Sequence, residues 1–133
     1  METIEGGCHC GAVRFRVGVD RYEAVECNCS MCRMKANLHL IIVPRDRFTL
    51  LAGAEVLTTY RFNTGVAQHT FCRVCGIHPF YVPRSHPNDI DVNIRCLDGD
   101  AMRRFTVTPF DGANWEANVG TIRTNDEGST SKD

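Results

Sequence analysis

The chain reads as an all-β domain whose short strands gather around cysteine. Two observations predict this. Apolar and polar residues alternate over short runs, with turn signals rich in Gly, Pro and Asn between them, which is the pattern of many half-buried strands. Seven of the eight cysteines fall in three clusters, Cys8-His9-Cys10-Gly11, Cys27-Asn28-Cys29-Ser30-Met31-Cys32 and Cys72-Arg73-Val74-Cys75-Gly76. No cluster can close a tetrahedral ligand set alone. They must therefore meet in space, and that meeting constrains the fold.

Taken in order, Gly6-Gly7 gives the backbone room to turn into the first cluster. Val13-Arg14-Phe15-Arg16-Val17 alternates and predicts a half-buried strand, with a turn over residues 18–23. Ala24-Val25-Glu26 runs as a strand into the second cluster, and Ser30 to Lys35 predicts one helical turn. Leu38 to Val43 is a continuous apolar run stopped by Pro44, hence a buried strand. Phe48 to Leu51 follows, with a turn at Ala52-Gly53. Glu55 to Phe62 and Val66 to Phe71 predict a hairpin turning at Asn63-Thr64-Gly65. Pro79 to Val82 predicts a strand, residues 83–88 a loop, and Ile90-Asp91-Val92-Asn93-Ile94 a strand with one wet face. Phe105 to Thr108 is a last strand, and Asn114 caps a short helix through Asn118 with Trp115 as a core anchor. These elements make one β domain over residues 1–120. Residues 121–133 are a polar tail expected to be disordered.

Composition narrows the function. The chain has 133 residues, with 15 Lys and Arg against 16 Asp and Glu, so there is no basic excess to bind nucleic acid in bulk. No apolar run reaches membrane-spanning length. The acidic start Met1 to Glu5 lacks the apolar core of a signal peptide, and a cytoplasmic location is expected. Eight cysteines in that setting point to metal or redox chemistry rather than a disulfide framework.

The spacing favours zinc. On a strand, residues i and i+2 share a face, so Cys8 with Cys10, and Cys27 with Cys29, can each converge on an ion. Cys72-x-x-Cys75-Gly76 has the spacing of a zinc knuckle. An iron–sulfur cluster lacks its longer spacings, and a redox dithiol at Cys72 and Cys75 lacks its βαβ setting. Seven ligands divide as four and three. Four sulfurs close a structural site, whereas three leave a position for water or substrate. Spacing alone does not say which cluster pairs with which; Cys27, Cys29 and Cys32 form the natural open site, leaving Cys8, Cys10, Cys72 and Cys75 for the closed one. The alternative is that Cys96 or a histidine completes the second site and both are structural. A site of three thiolates suits holding a thiol as thiolate for attack on a small electrophilic carbon.

Ser30, Arg33, Lys35 and His69 are the candidates to contact substrate. Arg33 and Lys35 serve either as solvated loop charges or as cations for carboxylates. His69 is either a strand histidine bonded to backbone or a base. His9 is expected at the surface, and Cys96 as a buried apolar thiol. The competing reading is a zinc-stabilised protein-interaction module, docking through a sheet face or the loop from Pro83 to Pro87.

Three stretches carry a resemblance. Gly7-Cys8-His9-Cys10-Gly11 with Val13-Arg14-Phe15, Cys27-Asn28-Cys29-Ser30-Met31-Cys32-Arg33, and Phe71-Cys72-Arg73-Val74-Cys75-Gly76 resemble the glutathione-dependent formaldehyde-activating enzyme family. Thr58 to Thr64, Gln68 to Phe71, and Tyr81-Val82-Pro83-Arg84-Ser85 are similar to its centromere protein V branch. The resemblance covers residue 5 to about residue 118. It implies an Mss4-like β-tent of short antiparallel sheets organised by zinc. It also implies two zincs per chain, a structural one on Cys8, Cys10, Cys72 and Cys75 and a catalytic one on Cys27, Cys29 and Cys32. The implied reaction joins glutathione to formaldehyde as S-hydroxymethylglutathione, a carbon–sulfur lyase reaction run in reverse.

Overall fold

In the computed structural model, residues 1–62, 64–111 and 114 are described. Their strands are β1 (Glu2–Gly7), β2 (Arg14–Val19), β3 (Glu23–Cys27), β4 (His39–Pro44), β5 (Phe48–Ala52), β6 (Leu57–Tyr60), β7 (His69–Cys72), β8 (Phe80–Tyr81), β9 (Asp89–Asn93) and β10 (Thr106–Phe110). One short helix, α1 (Ser30–Met34), lies between β3 and β4. Three small sheets result, in the orders β1-β2-β5, β10-β3-β4-β9-β8 and β6-β7. The fold is all-β, as the sequence predicts. Among the described residues no helix is long and apolar enough to cross a membrane.

The main core follows from the alternation in β2. Phe15 and Val17 are fully buried, while Arg16 points out to Glu5 of β1 at 3.2 Å. Phe15 stacks on Phe48 at 5.5 Å and meets Phe80 edge-on at 6.2 Å, which joins the first sheet to the five-stranded one. A fully buried ring such as Phe15 contributes about 1.5–3 kcal/mol of transfer free energy. A second, smaller cluster contains Cys27, Cys32, Leu38, Leu40, Tyr81 and Phe110.

Several expectations are corrected. Every strand pairing is antiparallel except β10 on β3, which is parallel. A parallel partner returns from far along the chain, which no local pattern reports. β2 runs on to Val19, through the first residues of the expected turn. The expected hairpin forms, with β6 antiparallel to β7, but its loop is long: β6 ends at Tyr60 and β7 starts only at His69, with Gly65 in the left-handed conformation at φ 75°. Gly6 and Gly7 do not turn the chain but lie inside β1. A Cβ on Gly6 would stand 2.4 Å from the Cys96 carbonyl oxygen and 2.8 Å from the Phe15 ring, so the glycine is there for close approach.

The largest correction is β9. All five of its residues are buried, Asp89, Asp91 and Asn93 included. The strand lies between β4 and β8, and both of its faces are covered. Asn93 faces inward because its Nδ2 donates to the His78 carbonyl at 3.1 Å, and its Oδ1 accepts from the Arg95 backbone N–H at 3.1 Å. The helix after Asn114, the Trp115 anchor and the tail 121–133 lie outside the described residues.

Gly6→Ala is expected to lower the unfolding free energy by about 1–3 kcal/mol through overpacking, read from the urea midpoint. An unchanged midpoint would show that β1 can move off Cys96 and Phe15.

Candidate metal centres and the adjoining pocket

Four thiols converge where two turns meet. Cys8 follows β1, and Cys10 lies in a turn closed by the Gly11 N–H on the Cys8 carbonyl at 3.2 Å. Cys72 ends β7, and Cys75 lies in a turn closed by the Gly76 N–H on the Cys72 carbonyl at 2.7 Å. Cys8 and Cys10 are thus brought together by a turn rather than by strand spacing. Gly76 has φ 79°, and a Cβ there would meet nothing within 4 Å, so its conformation and not crowding calls for glycine.

The four Sγ atoms lie within 4.8 Å of one another. Cys8 is 3.5 Å from Cys10, and Cys10 is 3.8 Å from Cys72, far too long for a disulfide. The Val13 N–H donates to Cys8 Sγ at 3.3 Å. Backbone hydrogen bonds from Cys10 and Ile77 draw the Cys75 thiol down to about 6, because they favour the thiolate.

The second group is Cys27, Cys29 and Cys32, also within 4.8 Å of one another. Cys27 ends β3. Cys29 is the N-cap of α1, its Sγ accepting the Cys32 N–H at 3.4 Å. Cys32 sits buried inside the helix. Ala36 and Asn37 then take left-handed φ values of 67° and 53°, and the Asn37 N–H returns to the Cys32 carbonyl at 2.7 Å. Hydrogen bonds from Cys27 and Cys32 hold Cys29 down at about 2. The same crowding pushes Cys27 up to about 12 and drives Cys32 up as well. One thiolate is thus favoured and two sulfurs keep their protons, unless a cation stands between them. Each group is a donor set able to hold a metal ion.

The two groups differ in what adjoins them. A cavity of about 370 Å³ opens beside the second group and is lined by Cys27 and Cys29, and by none of Cys8, Cys10, Cys72 and Cys75. Its floor is a single rung of the five-stranded sheet, Ile42 on β4, Asp91 on β9 and Tyr81 on β8. Phe110 of β10 closes one side. His69 is 6% exposed and sandwiched between Phe62 and Tyr81, at 5.3 and 5.1 Å. Burial, with Lys35 nearby, lowers the His69 imidazole to about 4, so it is neutral at pH 7. Burial raises the Tyr81 phenol well above its ordinary value.

Of the candidates for substrate contact, Ser30, Arg33 and His69 line the cavity, and Lys35 is not among the lining residues. Burial holds the Lys35 ammonium below its ordinary value. His9 is exposed, as expected. Cys96 belongs to neither thiol group. It is half-buried, its Sγ lies 3.9 Å from the His78 carbonyl, and burial pushes its thiol up to about 12. In the loop from Pro83 to Pro87, Pro83, Ser85 and His86 are buried, and Pro83, Arg84 and Ser85 line the cavity. Sequence reasoning missed Asp91, Tyr81, Phe62, Arg84, Ser85 and Phe110. For Asp91 the available signal was the polar alternation of its strand, which a buried pocket floor produces as readily as a wet face does.

The fold and the site together define a β protein with two sets of cysteine thiols, one of them beside a pocket. A family model described as glutathione-dependent formaldehyde-activating enzyme matches residues 3–110. A Halomonas elongata protein, provisionally named a glutathione-dependent formaldehyde-activating enzyme, is 39% identical over 108 residues, which cover 75% of this chain and 69% of that protein. The crystal structure of a Rhodobacter sphaeroides protein is similar at a TM-score of 0.72 and 36% identity, covering 80% of this chain and 98% of that one. This chain belongs to the glutathione-dependent formaldehyde-activating enzyme family.

His69 and His78 each have a folded-state pKa of about 4, below the ordinary 6.5. Between those values the unfolded chain binds more protons, so these histidines cost stability as pH falls from about 6.5 towards 4. In an NMR titration of the folded protein both rings are expected to stay neutral at pH 5. A protonation midpoint near 6.5 for His69 would contradict its burial in the ring stack.

Proposed function

We propose that this protein is a zinc-dependent enzyme that makes and breaks the carbon–sulfur bond of a thiol–aldehyde adduct such as S-hydroxymethylglutathione, formed from glutathione and formaldehyde. In the cleavage direction it is a carbon–sulfur lyase. The observation that carries this reading is that the three-thiol group lies in the wall of a pocket while the four-thiol group lies away from it. The first then has room for a substrate beside its ligands, and the second is closed.

The donor sets fit zinc. Four sulfurs bonded to one tetrahedral zinc at about 2.3 Å stand roughly 3.8 Å apart, and Cys8 to Cys10 and Cys10 to Cys72 measure 3.5 and 3.8 Å. Cys8, Cys10, Cys72 and Cys75 would hold a structural ion, and Cys27, Cys29 and Cys32 a catalytic one. When bound at the three thiolates, zinc supplies a positive charge that favours the thiolate form of a substrate thiol.

The chain's own side chains do the rest. Arg33 and Arg84 on the cavity wall offer cations to the two carboxylates of glutathione. Val25, Leu40, Phe62 and Phe110 present apolar surface that excludes water from the reacting carbon. His69, neutral and clamped between rings, shapes the pocket without adding charge. All eight cysteines are free thiols, which suits a reducing compartment such as the cytoplasm.

Cys29→Ser tests the reading. It is expected to leave a folded protein that keeps the metal of the four-thiol group. Thiol–formaldehyde turnover should fall by more than the roughly 10–100-fold that loss of an outer-shell partner costs a metal site. Undiminished turnover in this variant would sink the assignment.

A further inference from the structure

The pocket floor holds a carboxylate for which the reading above has no use. Asp91 lines the cavity, is 4% exposed, and is the one acidic side chain among the lining residues. It stands mid-sheet, between Ile42 of β4 and Tyr81 of β8 on one rung, and both of these also line the cavity. Placing a carboxylate on the floor of a largely apolar pocket is costly. A buried ionisable group in a cleft that two thiols also line is a candidate for proton-transfer chemistry.

The proposed reaction needs such a group, and this inference rests on that reading. A substrate thiol reacts as its thiolate, so its proton must be taken up. The aldehyde oxygen becomes an alkoxide as the carbon–sulfur bond forms, so it must be given a proton. Four of the other polar lining groups, Arg33, Arg84, His69 and Ser85, serve poorly as carriers. Arginine does not give up its proton at neutral pH. His69 is held between two rings where burial opposes its charged form. The Ser85 hydroxyl is bonded to His86 Nδ1 at 2.8 Å.

We infer that Asp91 is a catalytic residue that carries this proton: its carboxylate takes the proton of the substrate thiol and returns it to the aldehyde oxygen. The sulfur lone pair forms the bond to carbon and the carbonyl π pair moves to oxygen. Oxygen takes the proton from the Asp91 carboxyl, and Asp91 ends as the carboxylate it began as. The sum is thiol plus aldehyde giving the hydroxyalkyl thioether, with nothing oxidised or reduced. Cleavage runs the same steps backwards.

The test uses the zinc-loaded full chain and its Asp91→Asn variant, which keeps the shape of the side chain. Glutathione is titrated calorimetrically in two buffers of different ionisation enthalpy, which reads the protons released on binding. Wild type is expected to release close to none, because Asp91 keeps the proton. The variant is expected to release about one more per glutathione, with affinity within a few-fold and turnover with formaldehyde down ~10²–10⁴-fold. 3-Mercaptopropionate, a thiol without an amine, should show the same losses. A loss confined to glutathione would mean that Asp91 anchors the ammonium group, and would overturn the proposal. Equal proton release by both proteins would also overturn it, as would equal turnover. If Asn at this buried position unfolds the chain, Asp91→Glu must keep the wild-type proton count with slower turnover, and a changed count overturns the proposal. Wild-type protein that binds no thiol and shows no turnover would end the proposed function and this inference together, whereas full wild-type turnover unaffected by Asp91→Asn would end only the inference.

Discussion

Sulfurs crowded within 4.8 Å of one another cannot all be thiolates without a positive charge between them, and the structure is built around that constraint. In the three-thiol group the crowding already separates the sulfurs, with Cys29 low and Cys27 and Cys32 high. In the four-thiol group, Cys8 and Cys75 are drawn down while Cys10 is pushed up to about 11. A bound cation removes the conflict and turns each group into a cross-link. A cation on the four thiols would tie the turn after β1 to the turn after β7, joining two sheets that share no strand. A cation on the three thiols would fasten the end of β3 to α1.

The position of the pocket follows from these links. With Cys27 fixed at the end of β3, the parallel strand β10 brings Phe110 alongside it. The same sheet continues through β4 and β9 to β8, so its face forms the floor beside the thiols. The third sheet contributes His69, whose ring stacks on Tyr81 and under Phe62. Thiols, apolar walls and polar groups thus come from distant parts of the chain, most of them gathered on the five-stranded sheet, with His69 added from the third. That arrangement suits chemistry in which a thiol is held at one end of a cavity and a small electrophile is kept dry beside it.

Much of this was legible in the sequence because cysteine spacing and strand alternation are local. The three cysteine clusters, the helical turn at Ser30 to Lys35, and strands such as β2 and β4 are each written within a few residues, whereas the pairing of Cys8 and Cys10 with Cys72 and Cys75 joins residues more than sixty positions apart. The illegible parts depend on what covers a surface. Asp89, Asp91 and Asn93 alternate with apolar residues as a solvent-facing edge would, and only the packing of neighbouring elements reveals that they are inside. Ser85 and His86 lie in a stretch with two prolines that looks exposed, yet both are buried. The pairing of β10 with β3 joins residues more than eighty positions apart. Resemblance supplied the family but not the buried carboxylate on the pocket floor.

The central claim is that one thiol group is closed and the other open to substrate. The most direct test is metal analysis of freshly purified protein, followed by replacement of the metal with cobalt and addition of glutathione. The account predicts two zinc ions per chain, no iron, and a cobalt spectrum in which glutathione shifts the bands of one site and leaves the other untouched. One zinc that added metal cannot raise to two, or two sites neither of which responds to glutathione, would contradict it.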